Sequence, residues 1–141
     1  MKQYERILVG LKSPEHVDEL MDLACRMGGG KATIRLVHVI ELPEPTPLDA
    51  SVPDLEELAA EVLGKGKAIA LEDGVQATTA LLRSREAAPA LLDEMRESGT
   101  DLAVLGFHHR RTFTELLLGT TAQHIARTAP CRIILSVPPR P

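Results

Sequence analysis

Asp101-Leu102-Ala103-Val104-Leu105-Gly106 holds four consecutive apolar residues between an acid and a glycine. A strand with one wet face alternates apolar and polar side chains, whereas a central parallel strand is buried on both faces and reads as an unbroken apolar run. This stretch therefore predicts a central strand of a parallel sheet. Working outward, four more β-rich runs are found at Arg6 to Leu11, Thr33 to Ile40, Val75 to Leu82 and Cys131 to Val137. Helical patterns separate them, and strands alternating with helices argue a parallel sheet covered on both faces. Right-handed crossovers make that sheet doubly wound, and ligands of such sheets sit beyond the carboxyl ends of the strands, where the strand order reverses.

The helices are predicted from spacing and caps. Ser13 and Pro14 stand at a cap and a first helical position, and Val17, Leu20, Met21, Ala24 and Gly28 share one face before Gly28-Gly29-Gly30 ends the first helix. A second helix follows Asp54, with Leu55, Leu58, Ala59, Val62 and Ile69 as its stripe and Gly64 and Gly66 as weak points. A third runs from about Glu86 to Ser98, turning Leu91, Leu92 and Met95 inward. A fourth runs from about Thr120 to Thr128, turning Ile125 and Ala126 inward. Pro43, Pro45, Pro47 and Pro53 mark Glu41 to Pro53 as an exposed connection. Residues 1–137 read as one domain, and Pro138-Pro139-Arg140-Pro141 as a tail that cannot continue a ladder.

Composition narrows the function classes. The chain has 141 residues, 44% hydrophobic and 26% charged, which suits one ordinary core. Aromatic residues make up 2% and the net charge is −4, so neither a base-stacking platform nor a broad polyanion surface is expected, and nucleic acid is not an expected partner. Cys25 and Cys131 stand far apart without CxxC spacing and read as buried free thiols of a reducing compartment. The first strand is expected to begin almost at the N-terminus, so no signal peptide is expected, and no apolar run reaches the ~18–20 residues of a membrane span. The expected location is cytoplasmic, without membrane insertion.

Chemistry concentrates between Gly106 and Thr121. A buried strand ends at Gly106, a long connection runs from Phe107 to Leu118, and Gly119-Thr120-Thr121 opens the fourth helix. Glycine permits close backbone approach, and the free N–H groups and dipole of a helix start favour an anion. The Thr120 and Thr121 hydroxyls can add donors. The competing reading is a capping box, Thr120 with Gln123, that satisfies the same N–H groups internally. His108-His109 has no carboxylate or cysteine spaced to complete a metal shell, so no metal is expected. His38 reads as a strand histidine with a structural hydrogen bond.

Several of these segments together resemble the universal stress proteins: Ile7-Leu8-Val9, Leu36-Val37-His38-Val39, Thr100 to Gly106, Leu116-Leu117-Leu118-Gly119-Thr120, and Ala129-Pro130-Cys131-Arg132-Ile133-Ile134. The resemblance spans nearly the whole chain. It implies a five-stranded parallel sheet of order 3-2-1-4-5 with helices on both faces. It also implies ATP as the ligand of many members, through a Gly-x-x-Gly, nine-residue spacer, Gly-Ser/Thr pattern. Gly106, Gly119 and Thr120 match that pattern, whereas His109 stands where its second glycine is expected. Lys12 stands where ATP-binding members tend to carry an Asp at the end of the first strand, and Arg85 where a glycine is common after the third.

Lysine has no acceptor for a ribose hydroxyl, and a side chain at 109 obstructs the approach that glycine allows. The same changes put cations at the strand ends: Lys12, Arg110, Arg111 and Arg85. Two readings stay open. One is a regulatory binding module with weakened or lost ATP binding that works through homodimer or protein-partner contacts. The other is a binder of nucleotides or phosphorylated metabolites using the Gly106–Thr121 loop and the basic residues. The candidate ligand set is Lys12, Val39, Gly106, His109, Arg110, Gly119, Thr120 and Thr121, and ATP or another nucleotide is the cofactor class it suggests. No Walker-type Gly-x-x-x-x-Gly-Lys-Ser/Thr is present and the first strand lacks a phospho-acceptor carboxylate, so no catalytic role is expected. The last strand is apolar and lies at the sheet edge in the family order. The resemblance implies a homodimer across it, through Ile133, Ile134, Leu135 and Val137.

Overall fold

A computed structural model describes residues 3–106, 120–137 and 139. Five strands form one parallel sheet: β1 (Arg6–Gly10), β2 (Thr33–Glu41), β3 (Ala77–Ser84), β4 (Leu102–Gly106) and β5 (Arg132–Ser136). Their spatial order is β3-β2-β1-β4-β5, as expected. A 3-10 turn (Pro14–His16) leads into α1 (Val17–Gly28). α2 (Pro53–Glu72), α3 (Ala87–Glu97) and α4 (Thr120–Thr128) complete the described elements.

The strict two-residue period of the strands divides the core between two faces. Ile7 and Val9 of β1, Ile34 and Leu36 of β2, and Leu102 and Val104 of β4 pack with Val17, Leu20, Met21 and Val62 of α1 and α2. Leu8, Val37, Ala103 and Leu105 point the other way, onto Leu91, Leu92 and Met95 of α3 and Ile125 of α4. Helices therefore cover both faces, and each fully buried aliphatic side chain adds roughly 1.5–3 kcal/mol over leaving it in water.

α1 buries the five residues its spacing predicts, Val17, Leu20, Met21, Ala24 and Gly28, and Gly29 closes it in the left-handed region at φ 59°. Other expectations need correction. The Ser13 side chain makes no cap hydrogen bond. α2 starts at Pro53, and its first-turn Leu55 is 40% exposed because the helix packs through its middle, at Ala59, Val62, Gly66 and Ala70. Gly66 does not interrupt that helix. A Cβ there would come within 3.0 Å of Leu11 and 3.1 Å of Leu36, so the glycine is what lets α2 lie close to the sheet. β3 begins at Ala77, since the Val75 N–H is spent on the Ala70 carbonyl at the end of α2. In α4 only Ile125 is buried, and Ala126 is exposed. Cys25 and Cys131 are free but half-buried, not fully buried.

Candidate functional site

The chain lays β2 and β3 to one side of β1 and then β4 and β5 to the other, so the order reverses between β1 and β4. The carboxyl ends of these two strands are therefore the place for a ligand. A crevice with about 210 Å³ of open space lies there, lined among the described residues by Gly10, Lys12, Ser13, His16, Leu20 and Gly106. Both strands end in glycine, and neither glycine is replaceable without movement. A Cβ on Gly10 would stand 2.6 Å from the Leu105 side chain, and one on Gly106 would stand 3.2 Å from that of Leu20.

Lys12 is exposed on this wall. The neighbouring carbonyl of Leu11 is taken by His38, whose Nδ1–H donates to it at 2.7 Å, so His38 has the structural bond expected of it. Two carboxylates of α1 have other partners. Asp18 pairs with Lys65 at 3.5 Å, and Lys65 also donates to the Pro14 carbonyl at 3.0 Å. Glu19 accepts from the Ser136 hydroxyl at 3.1 Å, tying the end of β5 to α1. No carboxylate belongs to the described lining. Ser13 is different: its Oγ is closed to solvent and has no hydrogen-bond partner.

Of the predicted ligand residues, the structure brings Lys12 and Gly106 together. Val39 is half-buried in β2 and packs in the core beneath α3 and α4, outside the lining. Thr120 is exposed and Thr121 half-buried in the first turn of α4, and neither belongs to the lining. His109, Arg110 and Gly119 lie outside the described residues, as do Arg111 and the Phe107–Leu118 connection. Arg85 is a correction. Its Nη1 donates to the carbonyls of Leu42 at 3.3 Å, Pro43 at 3.1 Å and Thr46, so it anchors the proline-rich connection and lies outside the described crevice lining. Arg83 assists, donating to Leu48, to Ala50 at 2.8 Å and to Glu56 at 2.7 Å. That last bond holds the Glu56 carboxyl below its ordinary range.

Sequence reading missed Ser13 and His16 as crevice residues. Ser13 before Pro14 carries a helix-start signal, and that signal accounts for a cap without indicating that the hydroxyl stays unused. Among the described residues no three His, Cys, Asp or Glu side chains converge to hold a metal, and no helix is long and apolar enough to cross a membrane.

A family model described as the universal stress protein family matches residues 3–136. No curated protein matches the chain. Solved structures do. A universal stress protein family member from Burkholderia pseudomallei aligns with TM-score 0.72 at 22% identity, covering 94% of this chain and 96% of that one. The universal stress protein from Archaeoglobus fulgidus in complex with dAMP aligns with TM-score 0.68 at 19% identity, over 95% and 98% of the two chains. A family protein from Arabidopsis thaliana with AMP bound aligns with TM-score 0.64 at 14% identity, over 94% and 91%.

Proposed function

This chain belongs to the universal stress protein family, and we propose that it is a regulatory binding module in which ATP binding is weakened or lost, acting through homodimer or partner contacts. The observation that carries this reading is Lys12, an exposed ammonium on the wall of the β1/β4 crevice. Relatives of this fold hold dAMP or AMP, and the family pattern expects an aspartate at that strand end. An ammonium donates only, so the hydroxyls of a ribose lose an acceptor there. Calorimetric titration with ATP and Mg²⁺ tests the reading. The expected outcome is no saturable binding at low micromolar concentration, and a dissociation constant below about 10 μM overturns it.

The second reading, a binder of nucleotides or phosphorylated metabolites, is favoured by one feature: Lys12 and Gly106 share a wall that holds no carboxylate among the described residues. Thermal-shift screening at low salt against nucleotides and phosphorylated metabolites separates the two. In either reading the protein works by binding, not turnover; ATP hydrolysis abolished by Thr120→Ala would contradict this. The dimer contact is assigned to β5, an edge strand whose Ile133, Ile134 and Leu135 are half-buried and whose neighbour Val137 is 37% exposed. Light scattering at micromolar concentration is expected to give twice the chain mass, and a clean monomer refutes the contact.

A further inference from the structure

We propose that β3, the sheet edge opposite β5, pairs with β3 of a second copy of this chain. The two strands run antiparallel about a two-fold axis at Thr79, and each α2 packs beside its counterpart over the joined sheet. This contact goes beyond the functional reading above and is separate from the one assigned to β5.

The edge lacks the usual protection. Edge strands are ordinarily guarded by lysine, proline, a projecting charge, a bulge or short length. β3 is eight residues long, Ala77 to Ser84, with neither lysine nor proline, and among the described residues it pairs with β2 alone. Thr78, Thr79 and Leu81 are exposed. Its charged residue, Arg83, is drawn back onto Leu48, Ala50 and Glu56. Ala77 packs with the core under α1 and α2, so Thr79 and Leu81 follow it on the α2 face of the sheet. On α2, the bond from Arg83 marks the Glu56 side as the one turned to β3, and Ala60, Lys67 and Leu71 share that side by the helical period. All three are exposed, and Leu71, at 82%, is the most exposed large apolar residue of the described chain.

The chain's own dimensions and residues select a second copy as the occupant. A two-fold axis at Thr79 sets Leu81 of one copy against Ala77 of the other, large on small, and Thr79 against Thr79. α2 lies over both β2 and β3. One strand spacing of ~4.8 Å between the two edges then puts the α2 axes about 10 Å apart, a distance at which helices pack. The helices run antiparallel, so each Leu71 approaches the Ala60 end of the other helix. Lys67 is turned toward the half that carries Glu57 and Glu61, whereas a parallel approach would set like charges together. The remaining carboxylates of this region do not oppose the contact. Asp54 and Glu72 fall on the far side of α2 by the same period, Asp73 is hydrogen-bonded to Cys25 of α1, and Glu56 is held by Arg83.

The test joins cross-linking of the full chain with its mass in solution. In a Cys25→Ser, Cys131→Ser background, Thr79→Cys and Thr78→Cys are oxidised separately with copper phenanthroline. Residues that face each other across an antiparallel pair have Cα atoms ~4.5–5.5 Å apart, within disulfide reach, whereas the two copies of residue 78 would stand ~8 Å apart, beyond it. Thr79→Cys is expected to give at least about fivefold more linked dimer than Thr78→Cys. Equal yields, or none from Thr79→Cys, overturn the proposal. Light scattering of the wild type from micromolar to several hundred micromolar is expected to rise past twice the chain mass, toward four times or more. Leu81→Lys, which puts a charge on the edge, is expected to abolish that rise and leave the mass at twice the chain. A fall of Leu81→Lys to the monomer mass supports the β3 contact and refutes the β5 contact. A wild-type mass fixed at two chains, or a rise that Leu81→Lys leaves unchanged, overturns the β3 contact and leaves the β5 contact standing.

Discussion

Replacing Ser13 by alanine is expected to stabilise the protein, against the usual rule for this position. A serine that caps a helix loses about 0.5–2 kcal/mol when truncated to alanine, because a backbone N–H then goes unsatisfied. Here the side chain makes no cap bond, so that loss does not arise. Its Oγ instead sits out of solvent without a partner, a state that costs about 1–3 kcal/mol. Alanine keeps the Cβ and removes the oxygen. Taking the low end, because a small shift of the crevice wall can admit water, the expected gain is about 1 kcal/mol. Unfolding entropy near ~2.1 cal/mol/K per residue makes that gain roughly 3 °C in Tm for a chain of 141 residues. The assay is urea unfolding followed by circular dichroism, paired with calorimetry, in phosphate-free buffer and at one protein concentration, since association also moves Tm. A loss of about 0.5 kcal/mol or more, of the order that removing a working cap costs, refutes the reasoning.

The two glycines of α2 separate propensity from packing: Gly64→Ala, whose Cβ meets nothing within 4 Å, is expected to gain up to ~1 kcal/mol, and Gly66→Ala, pressed against Leu11 and Leu36, is expected to gain nothing or lose. Equal gains in urea unfolding contradict this. Glu94 is a nearly buried acid on α3, paired with the Arg35 Nε of β2, while Arg35 Nη1 reaches the Thr78 hydroxyl at 3.1 Å. Glu94→Ala is expected to cost ~1–3 kcal/mol, less than the ~3–5 of a fully buried pair because Arg35 stays about one-third exposed; a loss under about 0.5 kcal/mol in chemical denaturation would show that the pair contributes little. The Cys25 thiol is pushed from 9.0 to about 11 by burial and by Asp73 and Asp22. In a Cys131→Ser background, its alkylation at pH 8 is expected to run about 100-fold slower in the native than in the unfolded chain, and equal rates refute the shift.

The parts of this fold that sequence spacing predicted are those fixed by local geometry. Leu102 to Leu105 predict a strand buried on both faces, and they alternate between the two cores. The five-residue face of α1 follows from a 3.6-residue period that tertiary contacts did not disturb. Misreadings arise where a remote contact decides. Leu55 and Ala126 satisfy a helical stripe, but both side chains are exposed in the folded chain. Gly66 looks like a weak point along the helix and is a close approach across it. Arg85 looks like a free cation near a ligand because its three carbonyl partners lie some forty residues earlier, in a connection whose path the sequence does not indicate. Ser13 carries a correct cap pattern without the cap bond, so a local motif concealed a crevice residue.

That division bears on how far a shared fold can inform a ligand. The crevice between β1 and β4 owes its form to packing that involves no ligand: Gly10 makes room for Leu105, Gly106 makes room for Leu20, and His38 ties β2 to the carbonyl of Leu11. Those contacts keep the strand ends in place whatever occupies the gap, and a sheet of the same order persists at 14–22% identity. The side chains that meet a ligand are under no such constraint. Exposed Lys12 can replace a carboxylate without altering the core, because its side chain carries none of the burial that positions β1. A shared sheet and a changed ligand preference are therefore compatible in one chain, and Lys12→Asp is the substitution that tests whether they coincide here. If the carboxylate alone returns adenine-nucleotide binding, the crevice has kept its shape and changed only its chemistry. If it does not, His109, which stands where the family pattern expects a glycine, is the next substitution to test.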